Sequence, residues 1–458
     1  MRCRLPLAVV ALVAAALGAP LAAAAPDGGA DVVIAAGEPV SSFPLGIAFP
    51  VEVSSDEPVT EVHLLYRAAL AETLNEAPVA IEPGSAVSAG YDLDLRDGSL
   101  PPGVEIRYRW RVTEADGDIA ESPERGITWL DSRFAWTEIA SPRVTVNAYN
   151  GDPAFNQAVL ETAEATIDRL SAEFGAQLSE PVRIWVYNSR EDFGGSLAPN
   201  SEPWVVGAAY PALGLIHAVL PPGNTREMAR VIPHEISHQV LHQATRNPFN
   251  QPPDWLEEGL ASRAQLAGHE MLWRSVEAAA LAGNLDSLRI LNGEFPYDSS
   301  GALLAYGESM SAVSYIIDTY GEDAMSDLIA VLREGVTYDE AVERTLGIPL
   351  DQLSDDWQAQ ALEQARRELA ELGPPAGGFT GDGPFAGLLA SGALVVAAVV
   401  AVALTGSMLA RRRRAGEDED GDGEGFLAAP GMDLDPDPDA FPDPPTIRLP
   451  GSPNGARP

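Results

Sequence analysis

Ile232-Pro233-His234-Glu235-Ile236-Ser237-His238-Gln239-Val240 is the stretch on which the reading of this chain turns. It carries His-Glu-x-x-His, and four residues advance an α-helix by about 400°, so the two imidazoles lie within about 40° of one another and can share one metal ion. Glu235 is turned about 60° from His238, near enough to act as a base on a water at that metal without being a ligand. The motif needs a helix. Met228, Ile232, Ile236 and Val240 recur at steps of four and supply the apolar stripe that buries one. Pro233 directly before His234 means that the helix is kinked or begins there.

Composition limits what the third ligand can be. The 458 residues include one cysteine, Cys3, and an apolar fraction of 46%, ample for a folded core. Thiolate zinc sites, disulfides, iron–sulfur clusters and a cysteine nucleophile are excluded for any form that loses its first residues. A metal must be held by His, Asp or Glu. His242 lies one turn beyond His238, but its direction drifts by about another 40°, and three ligands along one straight helix rarely converge; it reads as a rim histidine. The HExxHxxGxxH arrangement fails, because Leu241 and Ala244 occupy its glycine and third-histidine positions.

The better candidate lies in Pro253-Asp254-Trp255-Leu256-Glu257-Glu258-Gly259-Leu260-Ala261-Ser262. This segment resembles the gluzincin pattern WLxEGxA, in which a second helix presents its glutamate as the third zinc ligand. The resemblance covers about Arg143 to Leu369 and implies a peptidase MA-like zinc metallopeptidase domain. On it, His234, His238 and Glu258 hold Zn2+, Glu235 is the general base, and Gly259 permits close helix packing. Nineteen residues, Gln239 to Glu257, separate the second histidine from the ligand glutamate, one more than in the aminopeptidase branch. A loop absorbs the difference. Downstream, Ala305-Tyr306-Gly307-Glu308-Ser309 and Tyr315 to Gly321 resemble the helix that follows the metal site in these proteins. Tyr306 is then either the donor to a tetrahedral oxyanion or a buried tyrosine with a structural hydrogen bond.

The sequence also departs from the family. The GxMEN-type strand that grips a free amino terminus is replaced by Val206-Gly207-Ala208-Ala209-Tyr210, so internal cleavage is expected over exopeptidase action. The thermolysin-type aspartate four residues after the ligand glutamate is Ser262, so a partner that orients His234 or His238 must come from elsewhere. His217 reads as an ordinary strand histidine, with a place at the rim of the cleft as the alternative.

Outward from the motif the chain divides into an α+β organisation. Between Ile47 and Trp136, Val104, Ile106, Tyr108, Trp110 and Val112 alternate with Glu105, Arg107, Arg109 and Arg111, the pattern of a half-buried strand. Turn signals at Pro83-Gly84, Asp97-Gly98, Pro101-Pro102-Gly103 and Asp116-Gly117 suit an antiparallel sandwich over residues 26–141, expected to serve as a spacer or packing partner. The peptidase-like part, residues 142–372, opens with strands at Val144–Tyr149 and Val182–Tyr187 around a helix at Pro153–Phe174. A hairpin at Val205–Leu220 follows, and then helices broken near Asn247–Pro253, Asn292–Ser300 and Gly347–Pro349.

Two apolar stretches bear on location. Residues 1–25 carry Arg2 and Arg4, an apolar run and a small-residue end, the order of a secretory signal peptide. Residues 373–384 form a Gly/Pro-rich linker, and residues 385–410 are uncharged, long enough to span a bilayer and followed by Arg411 to Arg414. The expectation is a single-pass cell-membrane protein with its catalytic part extracytoplasmic. Residues 411–458, an arginine cluster and an acidic, Asp-Pro-rich tail, are expected to be cytoplasmic and disordered. A net charge of −38 argues against nucleic acid as a partner. The expected partner is a peptide or protein substrate; a catalytically weak surface scaffold and an aminopeptidase are the alternatives, and the sequence does not set the oligomeric state.

Overall fold

The computed structural model describes residues 32–371, apart from 72, 150, 198–205, 294 and 297–298. The expected signal peptide, linker, membrane span and tail therefore lie outside the described residues. Among the described residues, no helix is long and apolar enough to cross a membrane.

Eight strands make the first sheet: β1 (Val33–Ala36), β2 (Val40–Ser42), β3 (Gly46–Ala68), β4 (Asn75–Val79), β5 (Gly84–Asp94), β6 (Glu105–Glu114), β7 (Ile119–Glu121) and β8 (Arg125–Thr128). Strand β3 organises them. Its first half pairs with β1, β2 and β5, its second half with β4 and β6, all antiparallel. The pairing register shifts between Ser54 and Val59, within the polar run Ser54-Ser55-Asp56-Glu57-Pro58. A second shift, against β6 between Val59 and Glu61, changes the phase of burial, because an extra residue reverses which side chains face inward. Ile47, Phe49, Val51, Val53 and Val59 are buried before it, Val62 and Leu64 after it. Phe49 and Tyr108 meet edge to face at 4.8 Å, so the two halves of the bent sheet close on one core.

The second sheet has the order β12 (Gly207–Tyr210), β13 (Leu215–Val219), β11 (Val182–Tyr187), β10 (Val144–Ala148), β9 (Thr137–Ala140). Strands β10, β11 and β13 run parallel, with β9 and β12 antiparallel at the edges. It thus begins four residues before Ser141, inside the segment read as the first module. Every residue of β12 and β13 is buried, as expected of strands covered on both faces, which read as continuous apolar runs. Nine helices complete the described chain: α1 (Pro153–Phe174), α2 (Arg190–Gly194), α3 (Thr225–Thr245), α4 (Asp254–Ala264), α5 (His269–Ala282), α6 (Ser299–Tyr320), α7 (Glu322–Leu332), α8 (Tyr338–Leu346) and α9 (Leu350–Glu371).

The two sheets touch through the turn at Pro102-Gly103. His217 on β13 lies with Nε2 2.7 Å from the Pro102 carbonyl. Gly103 has φ +93°, and a Cβ there would fall 2.2 Å from Nε1 of Trp185 on β11, so only glycine fits. His217 is therefore the expected strand histidine, here buried, rather than a residue of the cleft rim, and it forms part of the joint.

Candidate metal centre

Helix α3 runs unbroken through Pro233. A proline in a helix removes the N–H that would bond to the carbonyl four residues back, here that of Ala229. Leu266, just beyond α4, donates its N–H to that carbonyl at 2.8 Å. The motif thus sits in a continuous helix whose vacated hydrogen bond is made by the partner helix's exit segment. Helix α4 in turn packs closely on α6: a Cβ at Gly259 would lie 2.4 Å from the Ser309 carbonyl oxygen. Gly259 sets how deep Glu258 can stand.

These contacts bring three predicted ligands together. One donor atom from each of His234, His238 and Glu258 lies within 4.8 Å of the others, and all three residues are buried. Oε2 of Glu258 is 3.4 Å from His234 Nε2 and 3.6 Å from His238 Nε2. Ligands at 2.0–2.2 Å in a tetrahedral site stand about 3.3 Å apart, so the observed spacing and the two-imidazole, one-carboxylate donor set fit zinc. His242 is not in this group.

The groups around the ligands differ. Nδ1 of His238 is 3.2 Å from Glu257 Oε1, so Glu257 is a partner of the metal-ligand histidine rather than a bystander at the helix start. Nδ1 of His234 is 3.2 Å from the side-chain amide of Gln265 and also faces the Ala261 carbonyl. Burial opposes charge on His238, but Glu258 and Glu257 outweigh it and carry the imidazole up to about 9. Burial pushes Glu258 up to about 8 against the pull of His238, and pushes His234, which has no such net compensation, well below its ordinary value.

Glu235 is 1% exposed, its Oε1 has no hydrogen-bond partner among the described residues, and burial raises it to about 7 against a backbone hydrogen bond from Ala209. It presses on the edge strand: a Cβ at Gly207 would lie 2.4 Å from Glu235 Oε1. Tyr306 on α6 is fully buried, its ring centroid 6.0 Å from that of His234 and 5.0 Å from that of Phe295. All five predicted site residues are therefore brought to one place. Glu257 and Gln265 were missed as partners; the only sequence signal was the absence of a carboxylate at Ser262.

A buried His-His-Glu centre beside the Glu235 carboxylate, on helices against a mixed sheet, has the arrangement that the gluzincin resemblance implies. Residues 162–363 match the sequence profile of the Peptidase MA superfamily, a span that holds all these side chains. No curated protein matches the chain. Among solved structures, an M1 zinc metallopeptidase from Deinococcus radiodurans is 14% identical, with 68% of this chain and 90% of that chain covered at a TM-score of 0.36. An aminopeptidase N family protein from Idiomarina loihiensis is 8% identical, covering 68% and 72% at a TM-score of 0.34. The sulfane dehydrogenase SoxCD from Paracoccus pantotrophus is 16% identical, but only 19% of this chain and 23% of that one are covered, at a TM-score of 0.16. All three scores are low, and the functional reading rests on the family match and the geometry of the site.

Proposed function

We propose that the chain is a zinc-dependent metallopeptidase that cleaves peptide or protein substrates internally, held at the outer face of a membrane by residues 385–410. The observation that carries the reading is the convergence of His234, His238 and Glu258 next to the buried carboxylate of Glu235, whose Oε1 has no hydrogen-bond partner among the described residues. Zinc, when bound by these three residues, supplies Lewis-acid polarisation of the scissile carbonyl and acidifies water. Glu235 takes a proton from the attacking water and delivers it to the leaving amine, and its burial favours the protonated form between the two transfers. Tyr306 is assigned as hydrogen-bond donor to the developing oxyanion.

Strand β12 ends the second sheet, and an extended substrate adding along it would lie beside Glu235. Its residues, Gly207, Ala208, Ala209 and Tyr210, include no carboxylate to pair with a free amino terminus, which supports internal cleavage. Replacing Glu235 with Gln should leave zinc bound and abolish hydrolysis of a mixed peptide library; full residual activity would sink the assignment. Equal cleavage of free and amino-acetylated peptides separates an endopeptidase from an aminopeptidase.

The near-complete burial of His234 (0% exposed) and Tyr306 (0%) favours a second reading, a binding or scaffold protein with little turnover. Bound zinc with no peptide cleaved would select it. The tether is tested by fractionation: the chain lacking residues 385–410 should leave the membrane fraction.

A further inference from the structure

Ser262 stands one turn past Glu258, and its buried Oγ has no hydrogen-bond partner among the described residues. The side chain that meets His234 comes from three residues further on. We propose that Gln265 is the positioning residue for His234, a neutral amide that holds the imidazole with Nε2 turned toward Glu258. The inference rests on the reading that His234, His238 and Glu258 hold a metal.

Three features of the chain leaving α4 support it. Gln265 ends the helix at φ −53° and ψ 151°, and this turn points the next N–H, that of Leu266, at the Ala229 carbonyl left open by Pro233. The last carbonyls of α4 are held as well: Ser262 O accepts from His269 Nε2 at 3.0 Å, and Ala264 O accepts from the Arg169 guanidinium. Gln265 is thereby fixed between anchored neighbours. It is also 3% exposed, and a buried amide is costly unless hydrogen-bonded. His234 Nδ1, at 3.2 Å, is where that side chain is directed.

The chemistry of an amide distinguishes this arrangement from a carboxylate. When Nε2 of a neutral imidazole is a ligand, the ring proton is on Nδ1 and needs an acceptor; at His234 the Ala261 carbonyl and the Gln265 side chain both stand there. Glutamine offers its oxygen for that state and its NH2 for the other tautomer, so it fits His234 with or without the metal. A carboxylate would serve only the first. Gln265 therefore orients the ligand without adding a buried negative charge beside Glu235 and Glu258.

The test is zinc affinity of the full chain, measured by competition with a chromogenic chelator at fixed pH. Gln265→Met fills a similar volume without a hydrogen bond, and Gln265→Glu restores an acceptor. The Met variant should bind zinc about 10–100-fold more weakly, and the Glu variant should recover most of that loss. Wild-type affinity in the Met variant would overturn the proposal, as would equal losses in both variants, which would leave Gln265 a packing role only. A wild-type chain that binds zinc but cleaves no peptide defeats the peptidase reading and leaves this inference intact. A wild-type chain that takes up no zinc removes both.

Discussion

His217, at the joint between the sheets, and His238, at the metal centre, are sealed to the same depth, 0% and 1% exposed. Their chemistry is opposite. Burial takes His217 down to about 4, outweighing the Pro102 carbonyl that its Nε2 meets and the charge of Asp131. His238 suffers the same desolvation but stands between Glu258 and Glu257, which carry it up to about 9. Depth alone makes a neutral structural imidazole; depth with two carboxylates makes a place for a cation.

The sharpest way to break this contrast is to remove a carboxylate. Glu258→Ala should weaken zinc binding beyond the 10–100-fold typical of losing an outer partner; unchanged affinity by chelator competition would place the third ligand elsewhere. Next comes pH. Because His238 and Glu258 are raised in the metal-free fold, both bind protons more tightly folded than unfolded. Their contribution to metal-free stability should therefore fall as pH rises, from about 4.5 to 8 for Glu258 and about 6.5 to 9 for His238; below about 6.5 the lowered His217 and His234 oppose it, so the net fall is expected above that pH. Zinc competes with the same protons, so its affinity should rise over that range, by about tenfold per pH unit for each proton displaced. Thermal unfolding with and without zinc across the series reads both slopes, and parallel slopes would show that the ligands are not the groups titrating.

Smaller effects sharpen the comparison further. Gly259→Ala adds a methyl 2.4 Å from the Ser309 carbonyl, and overpacking of this kind costs about 1–3 kcal/mol. Helix propensity alone would favour alanine by about 1 kcal/mol, so a stabilised variant would disprove the close approach of α4 to α6. His217→Phe leaves the Pro102 carbonyl without its bond, at about 1 kcal/mol. Zinc affinity should not change, since no carboxylate of the centre is touched.

Much of the centre was legible because helical spacing is rigid: His234, Glu235 and His238 follow from turn geometry, and Glu258 from its motif. The bounds of α1 agree with the expected helix over Pro153–Phe174. What escaped depends on contacts between distant segments. Ser54 to Pro58 is a polar run without alternation, yet β3 continues through it because partners before and after it supply hydrogen bonds across an irregular register. Pro233 threatened the helix, but the loss is local and Leu266 satisfies the carbonyl it leaves. Glu257 and Gln265 reach their histidines only once α4 and its exit are docked on α3, and no spacing rule encodes that docking.

The turn at Pro102-Gly103 bears on how separable the two halves are. It covers His217 and the indole of Trp185, while β9, from the chain before Ser141, closes the sheet edge beside β10. A chain shortened to begin at residue 142 would lose that edge strand and open a polar ring and an aromatic ring of its interior to water. The peptidase-like half is thus not a transplantable cassette. Recombination or fusion at that boundary should yield insoluble protein, whereas boundaries that retain residues 32–141 should be tolerated.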